Sequence, residues 1–220
     1  MLEVAPDVHQ LSLAPRDALN AYLVGDVLVD AGVASSAGRI VRALAGRPLA
    51  AHALTHVHPD HAGGSRRVLD ARDVPVWVGA GDAEAMRRGE PAPADNRISG
   101  LMRFATTFSG VDVARELREG DELAAGFVVL DAPGHSPGHL AFWRAADRVL
   151  IAGDVWFHLD PWTLRPKLRE PFGIVTISPA RNRESIRRLT ALEPDVVAFG
   201  HGPVLRDAAP KLAAFAALLK

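Results

Sequence analysis

The chain has 220 residues, 48% of them hydrophobic, and a net charge of −1, the size and composition of one globular domain or two small ones. It contains no cysteine, which excludes disulfide frameworks, thiolate zinc ribbons, iron–sulfur clusters and cysteine nucleophiles, so any metal must be held by nitrogen and oxygen. The balance of 25 basic against 26 acidic residues supplies no bulk field toward nucleic acid or an anionic membrane, and neither partner is expected.

The amino-terminal run from Met1 to Asp7 lacks the basic and apolar regions of a signal peptide, and no later stretch approaches 18 uninterrupted apolar residues. A soluble cytoplasmic protein is therefore expected. Apolar-rich strands are expected at 7–13 and 19–24, and Gly25-Asp26 reads as a hairpin turn into Val27-Leu28-Val29. Ser35-Ser36 opens a helix with Ile40, Val41 and Leu44 at helical spacing, ending near Gly46 and Pro48. A buried strand from Leu49 to Leu54 runs into Thr55-His56-Val57-His58-Pro59-Asp60-His61, and Gly63-Gly64 leads a helix to about Arg72.

A strand is expected at 75–78 and a short helix at 79–88. Residues 89–110, with the apolar patch Leu101-Met102-Phe104, read as a lid or a helical excursion, and the patch suits a partner subunit equally well. Strands resume at 111–114, 126–130, 140–143 and 149–152. Asp154 to Gly173 is an irregular, aromatic loop. Ser178-Pro179 starts a helix to about Leu192, Asp195 to Phe199 forms a strand, and an alanine-rich helix follows Pro210. No repeat or linker forces a boundary, so residues 1–220 are expected as a single domain.

His56, His58, Asp60 and His61 place four potential ligands within six residues, a string that random placement produces on the order of once in a thousand such chains. They cannot all face one small ion, because Asp60 and His61 point differently from His56 and His58. Two ions are the simpler solution. Further ligands must come from elsewhere, and His135, Asp154 and His201 each follow an apolar strand beside glycine, which lets a side chain aim at a shared centre.

These segments, together with Pro133-Gly134-His135-Ser136-Pro137-Gly138-His139, Gly153-Asp154, Gly200-His201-Gly202-Pro203, Asn20-Ala21-Tyr22 and Val29-Asp30-Ala31-Gly32, resemble the metallo-β-lactamase superfamily, nearest its hydroxyacylglutathione hydrolase (glyoxalase II) branch. The resemblance implies an α+β fold, a four-layer αββα sandwich. It also implies that His56, His58 and His135 hold a first metal, Asp60, His61 and His201 a second, and that Asp154 bridges them. The cofactors would be two divalent transition-metal ions, zinc first, with iron or manganese as alternatives. Cysteine-ligated lactamases match less well, since this chain has no thiol.

Two such cations would activate a bridging hydroxide to cleave a thioester, ester or lactone, with Asp60 and Asp154 as the catalytic carboxylates and Asp60 orienting the nucleophile or shuttling its proton. Alternatives are a phosphodiesterase or nuclease on the same ions, a sulfur-dioxygenase-like oxidoreductase with one iron, and a non-catalytic metal-binding protein. The expected partner is a small-molecule substrate, with a homodimer possible. Trp156, Phe157 and Arg165 are the candidate substrate-binding residues, with Trp162, Lys167 and Arg169 nearby. His139 is expected to make a buried structural hydrogen bond and His158 to lie on the surface. His9 and His52 are given no function. The short chain after His201 leaves no helical segment for glutathione, so the substrate stays open.

Overall fold

The computed structural model describes residues 1–91 and 107–219. Most of the patch and lid expected within 89–110 lies outside them. Seven strands build the first sheet in chain order: β1 (Leu2–Ala5), β2 (Val8–Ser12), β3 (Asn20–Val24), β4 (Val27–Val29), β5 (Ala51–Ala53), β6 (Val76–Gly79) and β7 (Arg115–Leu117). The pairings are antiparallel from β1 to β4 and parallel from β4 to β7. The second sheet holds β8 (Val128–Asp131), β9 (Leu140–Arg144), β10 (Val149–Gly153), β13 (Val196–Phe199) and β14 (Leu205–Arg206), with a β10–β13 parallel pair at its centre. Between them in sequence, β11 (Phe157–His158) and β12 (Leu168–Arg169) form a small hairpin.

Period-two alternation sends side chains to both faces of each sheet. In β10, Val149 and Ile151 enter the core between the sheets, where Val24, Val29 and Phe142 also pack, while Leu150 and Ala152 point outward. Helices cover that outer face: α5 (Pro179–Thr190) with Ile186 and Leu189, and α6 (Ala208–Ala216) with Leu212. On the other side, α1 (Ala37–Ala43) and α3 (Ser65–Ala71) cover Leu23 and Leu28, and α4 (Ala83–Arg88) covers Val76 and Val78 through Met86. The result is the expected α+β αββα sandwich. Buried on both faces, its central strands read as continuous apolar runs. No helix among the described residues is long and apolar enough to cross a membrane.

One local expectation is corrected. Val111 to Ala114 is not a strand: Val111 packs with Met86 and donates its backbone N–H to the Met86 carbonyl, so the segment closes over α4 and pairing starts at Arg115. The helix expected after Gly63-Gly64 is present as α3, and a further single-turn helix, α2 (Pro59–Ala62), precedes the glycine pair. A Cβ on Gly64 would collide with the Ala31 carbonyl, so this break lets the ligand loop press against the end of β4.

Candidate metal centre

All seven ligand candidates arrive at one edge of the sandwich. His56 and His58 leave the end of β5, and Pro59 occupies the first position of α2, whose single turn carries Asp60 and His61. His135 lies between β8 and β9, Asp154 follows β10, and His201 follows β13. Potential ligand atoms cluster within 4.8 Å of one another in three overlapping sets: His56, His58 and His135; His56, His61 and Asp154; Asp60, His61 and His201.

Asp154 is the common neighbour. Its Oδ2 lies 3.8 Å from His56 Nε2, 3.4 Å from His61 Nε2, 3.5 Å from His135 Nε2 and 3.3 Å from His201 Nε2. His201 Nε2 is also 3.2 Å from Asp60 Oδ2. Two ligand atoms bound at about 2.0–2.2 Å to a shared tetrahedral ion lie roughly 3.4 Å apart, so these separations suit coordination. The donor chemistry agrees. His56, His61 and His135 Nε2 and Asp154 Oδ1 are buried without a hydrogen-bond partner, a deficit of about 1–3 kcal/mol for each atom that a cation would remove.

The other ring nitrogens explain why Nε2 faces inward. Thr55 Oγ1 gives its proton to Asp30 at 2.9 Å and so accepts from His56 Nδ1–H at 3.1 Å. Thr176 Oγ1 donates to the Phe172 carbonyl and accepts from His135 Nδ1–H at 3.1 Å. His61 Nδ1–H donates to Asp30 at 2.9 Å, and His201 Nδ1–H to the Ala18 carbonyl at 2.7 Å. Each bond fixes the tautomer that leaves an Nε2 lone pair for a metal. Asp30 does this from a left-handed backbone, φ 63°, the strain being held by three bonds to its carboxylate.

Charge divides the cluster. Burial, reinforced by neighbouring imidazoles, holds His56 and His135 well below the usual histidine pKa. Burial also opposes protonation of His61 and His201, but the surrounding carboxylates, Asp154 foremost, outweigh it; His61 is raised and His201 is lifted to about 10. Asp154 and Asp60 are held below the carboxylate range: burial works against ionisation and the adjacent histidines overcome it. Without an ion, protons on His61 and His201 supply the positive charge that these carboxylates demand.

Sequence reasoning missed the supports. Asp30 and Asp82 lie far from the histidine string in sequence; Asp82 ties the Val57 N–H, the Ser136 hydroxyl and the Gly138 N–H together, joining two ligand loops. Asn20 and Tyr22 hold the His201 loop through the Gly202 and Phe199 carbonyls, both at 2.8 Å. Their signal was polarity inside an otherwise apolar strand.

His139 is buried, as expected, and its Nε2 accepts the Asp154 backbone N–H at 3.0 Å. Burial lowers its pKa to about 3, so it is neutral. The His139→Ala variant is expected to lose about 1–3 kcal/mol of stability while keeping its metal; thermal melts with metal analysis on the same sample check this, and metal loss at an unchanged Tm would contradict it.

Two placements are corrected. Trp156, expected to wall a substrate pocket, is fully buried beneath α5 with Leu150, Ile186 and Phe199. His158, expected on the surface, is buried and donates to the Pro203 carbonyl at 2.7 Å. Phe157 does reach the cluster, with its ring centroid 4.5 Å from that of His201 and 6.4 Å from that of His135. Arg165 is exposed on the loop between β11 and β12, where its hydrogen bonds are made by backbone. Trp162 is 87% exposed on the same loop.

Residues 14–201 match the family model of the metallo-beta-lactamase superfamily. The chain is similar to the probable metallo-hydrolase YflN of Bacillus subtilis, 29% identical over 225 residues covering 91% of this chain and 85% of the relative. It is similar also to the hydroxyacylglutathione hydrolase of Bdellovibrio bacteriovorus, 35% identical over 115 residues, but that match spans 50% of this chain and only 36% of the relative. Among solved structures, TTHA1623 in a di-iron-bound form superposes with a TM-score of 0.69 at 28% identity, covering 92% of this chain and 96% of that one.

Proposed function

This chain belongs to the metallo-beta-lactamase superfamily, and from that premise we infer that it is a binuclear metal-dependent hydrolase acting on a thioester, ester or lactone. The observation that carries the reading is the convergence of four histidine Nε2 atoms on Asp154 Oδ2. In this reading His56, His58 and His135 hold one cation, Asp60, His61 and His201 the other, and Asp154 both. Imidazole and carboxylate donors suit zinc, iron or manganese; zinc is the proposed occupant, with iron the alternative that the di-iron form of TTHA1623 supports.

Bound there, two divalent cations supply activation of water at neutral pH and polarisation of the scissile carbonyl. The chain's own groups do the rest. Water adds to the carbonyl carbon, the bond to the leaving oxygen or sulfur breaks, and an acid and an alcohol or thiol result. Asp60, with a side chain 41% exposed, stands at the mouth of the cluster with Oδ2 against His201; in this reading its other oxygen would hold the water's proton and return it to the leaving group. Phe157 screens the His135 and His201 side from solvent, and the Asp30 and Thr176 bonds keep the ligand rings from turning. The proposed partner is a small molecule.

Protein purified without chelator is expected to carry close to two transition-metal ions per chain and to hydrolyse members of a panel of thioesters, lactones and aryl esters in preference to phosphodiesters. Elemental analysis and the panel, run on one sample, check this. One iron and no second ion, or turnover confined to phosphodiesters, would overturn it.

A further inference from the structure

The β11–β12 hairpin places Phe157 directly opposite Arg169, and opposed residues of an antiparallel pair project from the same face. Phe157 is the residue whose ring meets His201, so this face looks onto the metal centre. Phe172 completes it: its ring centroid lies 6.2 Å from that of Phe157, and the Arg169 guanidinium sits 3.9 Å above it. From the metal cluster outward the surface therefore runs histidine, phenylalanine, phenylalanine, guanidinium.

Two of the neighbouring cations are engaged, whereas Arg165 lies on the exposed loop outside the paired strands. Lys167 pairs with Asp160 at 3.8 Å, and Arg183 grips Glu170 through two bonds of 2.7 and 3.2 Å. Arg169 has no carboxylate partner among the described residues, and the ring beneath it covers one guanidinium face while leaving the edge donors open. A guanidinium edge fits a carboxylate through two parallel bonds. One uncompensated cation on the Phe157 face matches a monoanion.

We propose that Arg169 selects an acyl substrate bearing a carboxylate at the end of an apolar chain, the chain lying along Phe157 and Phe172 with the scissile carbonyl at the metal centre. The proposal rests on the hydrolase reading. It makes Arg169, rather than Arg165, the substrate-recognising cation of this segment.

The test compares metal-loaded protein on the monophenyl esters of adipic and suberic acid with phenyl hexanoate and phenyl octanoate. Wild type is expected to prefer the acids. In Arg169→Leu the ratio of kcat/KM between acid and neutral ester should fall about tenfold, through KM for the acid rather than kcat. Arg169→Lys should recover part of the ratio, and Arg165→Leu should leave it unaltered. Metal content and Tm are measured for each variant, so a folding defect is seen separately.

Equal effects of the two leucine variants would show general electrostatics and overturn the proposal, as would an unchanged ratio in Arg169→Leu. If neither ester class is turned over, the hydrolase reading fails; calorimetric titration with adipate then decides, tighter binding by wild type than by Arg169→Leu supporting Arg169 and equal binding rejecting it.

Discussion

Asp154→Ala is expected to lower hydrolysis by at least about a thousandfold and to reduce bound metal from two ions per chain to one or none. Among the described residues, Asp154 Oδ2 is the carboxylate oxygen that lies within 3.8 Å of all four inward-facing Nε2 atoms of His56, His61, His135 and His201. Its removal leaves four imidazoles converging on a buried space, with Asp60 beside His201 as the remaining carboxylate facing them. Burial already holds His56 and His135 neutral, so a dication placed there would lack the anion that offsets its desolvation. Asp154→Asn separates charge from shape: the amide keeps the volume and should still lose metal. Elemental analysis and turnover on the same preparations decide, and an alanine variant retaining two ions and wild-type turnover would remove Asp154 from the bridging role.

Gly200→Ala is expected to cost about a hundredfold in turnover, the scale of a displacement near 1 Å at a reacting centre, and to weaken metal retention. A Cβ on Gly200 would overlap the Asp154 carboxylate and the His61 ring. Neither can move aside freely, because His61 is tied to Asp30 and the Asp154 backbone is tied to His139. Overpacking of this kind lowers stability by about 1–3 kcal/mol, so melting should show a folded but weakened protein. Gly173→Ala, where an added methyl meets nothing within 4 Å, is the control and should keep its metal. Normal metal content and turnover in Gly200→Ala would show that the approach of Gly200 to Asp154 and His61 does not govern the cluster.

The sandwich was legible because its strands are short apolar runs separated by turns, and the ligand candidates because histidine and aspartate cluster where those runs end. The supports were not legible for a physical reason. Asp30, Thr176 and the Ala18 carbonyl act on rings that folding brings to them from remote parts of the chain, and residue type alone does not reveal which ring each will meet; only Thr55 adjoins the ring it holds. The aromatic segment shows a second limit. Trp156 and Phe157 are adjacent, and only the pairing of Phe157 with Arg169 decides which ring enters the core and which looks onto the cluster. In sequence Arg165 was the candidate and Arg169 a neighbour; the register sets Arg169 opposite Phe157 and leaves Arg165 on the loop.

The ligand candidates are drawn from both sheets: His56, His58, Asp60 and His61 follow a strand of the first, whereas His135, Asp154 and His201 follow strands of the second. During synthesis the first four emerge long before the last three, so a partly made chain presents only half of a cage. On the proposed reading the first ion's residues would be complete once β10 and Asp154 have been made, and the second's only after β13 and His201 have followed and docked.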